Sequence, residues 1–190
     1  FEKIKTNYNL DLILDDPKVC YRETIKKEAE AQGKYVKQSG GSGFFGVVVM
    51  KFEPTTENSY FTEEIFGGSV PKNYHPAVEK GFHEALEKGP LAGYPVINVH
   101  ATLLDGKYHD VDSNELSFRM AAILAFKEAY GKCRPVLLEP IMKVRIVVAA
   151  QYLGDVISDV STRRGRISGM EGNDTTQIVE AFIPEAEIIE

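Results

Sequence analysis

His109 is the residue of this sequence best placed to do chemistry. It lies in the run Lys107-Tyr108-His109-Asp110-Val111-Asp112, between a strand-like and a helix-like segment, where binding side chains are often displayed. A histidine beside carboxylates can shuttle a proton or ligate a metal, yet neither a nucleophile nor a further ligand at metal spacing accompanies it. A second candidate is Gly41-Ser42-Gly43-Phe44-Phe45-Gly46, which spells the dinucleotide pattern G-x-G-x-x-G. That pattern works only where a strand precedes it and a helix N-terminus follows, so that free amides meet a pyrophosphate. Here Val47-Val48-Val49-Met50 follows, and its β-branched residues favour a strand. The glycines therefore read as a flexible hairpin loop. No Walker A sequence occurs, so no nucleotide site is expected. His75, His83 and His100 show no H-E-x-x-H or H-x-H spacing and read as structural, and no metal site is expected. The one dense basic cluster is Ser161-Thr162-Arg163-Arg164-Gly165-Arg166. Its arginines suit an RNA contact or the negative end of a helix dipole equally well.

The background composition narrows the classes. Over 190 residues, 43% hydrophobic and 26% charged content is ordinary for a soluble globular protein, with room for one full domain and a smaller one. The formal charge of −6 argues against a protein that binds nucleic acid over a broad face, because phosphate neutralisation supplies most of such affinity. A small RNA-contacting tip escapes that objection. Cys20 and Cys133 form no C-x-x-C pair, which fits a reducing, cytoplasmic setting and makes zinc improbable. No stretch approaches the ~20 apolar residues of a membrane span. The opening Phe1-Glu2-Lys3-Ile4-Lys5 lacks a signal core and reads as the interior of a longer chain.

The elements that must position His109 and the glycines follow from periodicity. Phe1 to Tyr8 reads as a helix end and Asn9 to Leu14 as a short strand. Gly33–Gln38 and Val47–Phe52 read as a hairpin closed by Ser39–Gly43, with a third strand over Tyr60–Phe66. Pro76 opens a helix whose Val78, Phe82, Ala85 and Leu86 share a face, and Gly89-Pro90 ends it. Ile97, Val99, Ala101 and Leu103 alternate with polar residues as a strand that Asp105-Gly106 ends or turns. Asp112-x-x-Glu115 has the signature of a capping box, opening a helix apolar nearly all round and closed at Gly131. From Glu139-Pro140 the pattern restarts: a strand over 142–148, a helix stripe at Leu153, Val156, Ile157 and Val160, then strands over 166–170 and 176–183. Strand–helix–strand–strand is the first part of a split β-α-β module.

Particular runs go further. Tyr21-Arg22-Glu23-Thr24-Ile25, Gln38-Ser39-Gly40-Gly41, Pro76-Ala77-Val78-Glu79-Lys80-Gly81 and Leu91-Ala92-Gly93-Tyr94-Pro95-Val96 resemble elongation factor G. So do Tyr108-His109-Asp110-Val111-Asp112-Ser113, Pro135 through Met142, and Arg163-Arg164-Gly165-Arg166-Ile167, all in the family's order.

The resemblance implies an α+β chain in three parts: residues 1–16 as the end of domain III, 17–136 as domain IV, and 137–190 as the first two-thirds of domain V. Domain IV would have the ribosomal protein S5 domain 2-like fold, with a left-handed β-α-β crossover, and domain V a truncated ferredoxin-like fold. The implied function is that of the ribosome-binding arm of a translocation GTPase. Domain IV would enter the small-subunit decoding region and touch the tRNA–mRNA duplex, with a ribosome-rescue or antibiotic ribosome-protection factor as the alternative. Catalytic residues are expected to be none, and GTP and Mg would belong to a nucleotide domain outside this stretch. The implied tip contacts are Ser39, Gly40, Gly41, Ser42, Gly43, Phe44, Lys107, Tyr108, His109 and Asp110. Arg163, Arg164 and Arg166 are the implied rRNA contacts of domain V. The partners are rRNA of both subunits and the tRNA–mRNA duplex, with no membrane, for a cytoplasmic monomer. One departure stands out. Where the family reads G-G-R-G-Q-Y-G-H, this chain has Gly40-Gly41-Ser42-Gly43-Phe44-Phe45-Gly46-Val47, losing a cation and an amide and gaining an aromatic.

Overall fold

The computed structural model describes residues 19–41 and 43–188. The expected helix over Phe1–Tyr8, the strand over Asn9–Leu14, the domain III remnant and Ser42 lie outside the described residues. The rest divides into two compact units, one spanning Tyr21–Leu138 and one containing Glu139–Glu190.

In the first unit, β1 (Arg22–Ile25) is followed by the long hairpin of β2 (Ala29–Lys37) and β3 (Phe44–Pro54). Then come β4 (Tyr60–Glu63), helix α1 (His75–Leu86), β5 (Val99–Lys107), helix α2 (Glu115–Tyr130) and β6 (Pro135–Leu138). The main sheet has the order β2-β3-β5-β4, and β6 returns to pair antiparallel with β1. β4 and β5 run parallel through the crossover helix α1, as a parallel pair requires. Alternation decides which face is covered: Val48, Met50 and Phe52 of β3 and Val99, Ala101 and Leu103 of β5 are buried. Phe52 meets Phe126 of α2 edge-on at 5.3 Å and Phe82 of α1 at 6.0 Å, joining sheet and both helices in one aromatic cluster. Helix α2 lies so close to β2 that a Cβ on Gly33 would stand 1.8 Å from the Ala121 carbonyl oxygen. Only a glycine fits there.

Three local expectations are corrected. The strand expected from Ile97 begins at Val99, because β1 already uses the backbone before it: Ile97 N donates to Glu23 O at 2.9 Å and Ile97 O accepts from Thr24 Oγ1 at 2.7 Å. Asn98 then turns the chain through a left-handed φ of 59°. The same strand runs past Asp105-Gly106 to Lys107, with Gly106 paired to Val48. The capping box at Asp112 does not form. Asn114 caps α2 instead, its side-chain oxygen accepting from Ser117 N at 2.8 Å. Finally, helix α2, apolar nearly all round in sequence, buries Phe118, Ala121, Ala122, Ala125 and Phe126 and leaves Leu116 and Leu124 exposed.

In the second unit, β7 (Ile141–Ala149) leads through helix α3 (Leu153–Thr162) to β8 (Arg166–Gly172) and β9 (Thr176–Pro184), with a final turn of helix α4 (Glu185–Ile188). The order is β7-β9-β8, with both contacts antiparallel. The last strand thus inserts between the two that the helix connects, which is the split β-α-β arrangement. Val160 of α3 packs with Ala181 and Ile183 in a small core that Val144, Ile146, Val156 and Ile167 border.

Candidate functional site

The β2–β3 hairpin and the end of β5 point the same way, so the glycine loop and the His109 loop share one extremity of the first unit. Register fixes this: Lys37 pairs with Phe44, and Val47 with Lys107. Gly40 and Gly41 take φ values of 84° and 111°, and nothing lies within 4 Å of where a Cβ would stand on either. Such a backbone turns freely and can approach a ligand closely.

The two loops are bonded to each other. Phe45 N donates to Asp112 O at 2.9 Å, and Ser113 Oγ donates to Phe45 O at 2.7 Å. Gln38 Nε2 donates to Asp112 Oδ2 at 3.0 Å. Ser113 Oγ also accepts from His109 N at 2.8 Å. Asp112, expected to cap a helix, is therefore committed to joining the loops.

His109 is folded into this arrangement. Its Nδ1 accepts from Val111 N at 3.2 Å and Asp112 N at 3.1 Å, which requires the ring proton on Nε2. The Asp112 carboxylate, 3.6 Å from Nδ1, is consequently a neighbour rather than a hydrogen-bond acceptor from it. The imidazole packs 6.0 Å from the Phe45 ring with about half its surface exposed. Its Nε2–H has no hydrogen-bond partner among the described residues. Lys107, Tyr108 and Asp110 are exposed around it. Phe44 is half-buried and meets the Tyr35 ring edge-on at 6.0 Å, so it braces the hairpin. Among the described residues, no group of three or more His, Cys, Asp or Glu could hold a metal. The G-x-G-x-x-G run leads into β3 and not into a helix, so the amide cradle for a pyrophosphate is not built.

Phe45, Ser113 and Gln38, which carry the clasp between the loops, were not singled out from the sequence as site residues. Only pairing across some 70 positions gives them that role. Val111 is 82% exposed at the tip and had no sequence signal beyond its place in the loop.

Comparison with known proteins bears on this geometry. Residues 17–134 match the family model for elongation factor G, domain IV, and residues 136–190 that for the elongation factor G C-terminus. The chain belongs to the elongation factor G family. A crystal structure of a Thermus thermophilus protein superposes with a TM-score of 0.88 at 46% identity, over 97% of this chain and 28% of that one. The chain thus spans about a quarter of the length of that relative. Both loops lie in the stretch that matches domain IV, and the β7-β9-β8 sheet lies in the stretch that matches the family's C-terminus.

The arginines of that C-terminal domain divide unequally. Arg164 is held bidentately by Glu139, at 2.9 and 3.2 Å, and by Glu187 at 2.8 Å. These carboxylates push its guanidinium pKa further up, Glu139 first. Arg163 bonds Asp159 at 3.1 Å and the Glu187 carbonyl. Arg166 is exposed on β8 and makes no side-chain hydrogen bond or ion pair among the described residues. Of the three, Arg166 is the cation left available to a phosphate. Among the described residues, no helix is long and apolar enough to cross a membrane.

Proposed function

We propose that this chain is the ribosome-binding arm of a translocation GTPase, and that the clasped tip of domain IV enters the small-subunit decoding region to hold the tRNA–mRNA duplex. The carrying observation is the bonding of the two loops through Asp112 and Ser113, which holds the base of the glycine turn beside the His109 loop. Such a surface suits RNA read by shape. Glycine backbone approaches closely, the imidazole donates to a 2′-hydroxyl or base edge, and Lys107 supplies a phosphate contact. The tip also carries Asp110 and Asp112, so its affinity rests on hydrogen bonding and fit more than on net charge.

The mechanism in these residues is steric and makes or breaks no bond. GTP hydrolysis, with its Mg, belongs to a nucleotide domain of the parent protein, which acts in the cytoplasm as a monomer. In the C-terminal domain, Arg166 contacts large-subunit rRNA, while Arg163 and Arg164 hold their own domain together. The test is single-turnover translocation by the full-length protein carrying His109→Ala. Slowed translocation with GTP hydrolysis intact supports the reading, and unchanged translocation removes His109 from the site. Rescue of translation under tetracycline, with no translocation activity, would instead assign the parent to ribosome protection.

A further inference from the structure

Beside β4, well away from the clasped loops in sequence, a groove of about 460 Å³ is lined by Glu63, Glu64, Ile65, Phe66, Val70 and His75, among others. It adjoins a second groove of about 380 Å³ that shares Glu63, Lys72 and His75 and adds Phe61 and Glu79. Phe66 is 91% exposed and makes no ring contact among the described residues, the largest exposure of any large apolar side chain described. A single exposed apolar residue is ordinary. One that lines a groove together with Ile65, Val70, Glu63 and Glu64 is not.

The groove is built rather than incidental. Its His75 is buried, with Nε2 bonded to the Val70 carbonyl at 2.9 Å and Nδ1 paired to Glu63. That holds the half-exposed Glu63 carboxylate against His75 in the groove lining. Glu64 sits at the rim, and its carboxylate has no hydrogen bond or ion pair among the described residues. Glu79 faces the adjoining groove with a contact to His83 at 3.8 Å. Lys72 is the one lysine or arginine of the lining, and His75 already opposes Glu63.

We infer that this paired groove docks an arginine-bearing basic segment of a partner protein. The charge pattern selects the class. With Glu63 paired to His75, Glu64 and Glu79 stand against Lys72, a net negative lining that disfavours a phosphate backbone on this face. A guanidinium can stack on the unpartnered Phe66 ring while bonding Glu64, and an ammonium cannot match that geometry as well. Ile65 and Val70 offer an apolar wall for an aliphatic residue next to the arginine. The surface therefore complements the tip: the loops meet RNA, and this groove meets protein. The inference goes beyond the translocation reading and stands or falls without it.

The test is fluorescence anisotropy with the chain itself and a labelled twelve-residue peptide of alternating arginine and leucine. A glutamate–leucine peptide and a twelve-nucleotide uridine RNA serve as controls. Phe66→Ala and Glu64→Lys alter exposed side chains, so both variants retain the fold, which circular dichroism verifies. The arginine peptide is expected to bind, each substitution to weaken it by roughly tenfold or more, and the glutamate peptide not to bind. No binding of the arginine peptide overturns the inference, as does binding that neither substitution changes. RNA binding that Phe66→Ala abolishes would assign the groove to nucleic acid and overturn it equally. Tip variants do not enter this assay, so its failure is distinguishable from failure of the ribosomal reading.

Discussion

The Ser113 hydroxyl donates to the Phe45 carbonyl at 2.7 Å across the gap between two loops that are 68 residues apart in sequence. The same oxygen accepts the His109 amide at 2.8 Å. One side chain thus couples the hairpin turn to the histidine loop.

Ser113→Ala is expected to lower stability by about 1–2 kcal/mol, since it leaves a part-buried carbonyl and an amide without their partner. Urea unfolding measures that change. Hydrogen exchange at His109 N should rise in the variant, while exchange in the middle of β3 stays slow. Equal protection of His109 N in both proteins would show that the hydroxyl is not what orders the loop.

Gly33 is where α2 touches the backbone of β2. Gly33→Ala would force the new methyl onto the Ala121 carbonyl, and neither backbone can yield cheaply. A loss of about 1–3 kcal/mol or more is expected. Gly131→Ala serves as the control: nothing lies within 4 Å of its added Cβ and its φ is −62°, so it should be tolerated. Comparable losses in the two would contradict the packing account.

Glu23 is fully buried, yet its carboxylate is ionised. It accepts from Leu91 N, Ala92 N and Tyr94 N at 3.1, 3.0 and 2.8 Å, and from the Tyr130 hydroxyl at 2.5 Å. Burial by itself would raise its pKa. The donors outweigh burial, the Tyr130 hydroxyl foremost, and hold the carboxyl below the ordinary value of 4.5. A folded value below the unfolded one means that this stabilisation is complete above 4.5 and is lost as pH falls through the lower folded value. Glu23→Gln should cost about 1–3 kcal/mol at neutral pH. It should also flatten the acid limb of stability against pH, read from urea midpoints between neutral pH and about pH 3. An unchanged acid limb would remove Glu23 from the account.

The two arginine classes separate on the ribosome. Arg166→Ala should weaken binding of the full-length protein without changing its stability, and the loss should shrink as salt rises. Arg164→Ala removes the pairings to Glu139 and Glu187, and any weakening should come with greater mobility of the α4 turn. Filter binding at two salt concentrations, beside thermal unfolding, separates the two effects.

Much of this was legible in the sequence because it is local. The alternation of Val99, Ala101 and Leu103, the proline at the start of α1 and the strand–helix–strand–strand order of the second unit each came from neighbouring residues. What failed depended on distant partners. Asp112 has the spacing of a capping box, but Gln38 and Phe45 claim it from the hairpin, and Asn114 takes the cap. Ile97 has the alternation of a strand, but β1 has already taken its backbone groups. The basic cluster at 163–166 suits an RNA contact or a structural role equally in the sequence, and Glu139 and Glu187 decide it for two of its members. Phe66 reads from the sequence as the end of a strand over Tyr60–Phe66, but β4 ends at Glu63 and leaves it exposed.

The central claim is that Gly41 and His109 reach one place on the ribosome as a single surface. Tethering a hydroxyl-radical source at Gly41→Cys or His109→Cys, in the full-length protein with Cys20 replaced by serine, tests it directly. Both positions are expected to cleave the same stretch of small-subunit rRNA at the decoding region. Cleavage at separate stretches, or cleavage from only one of the two positions, would contradict the account.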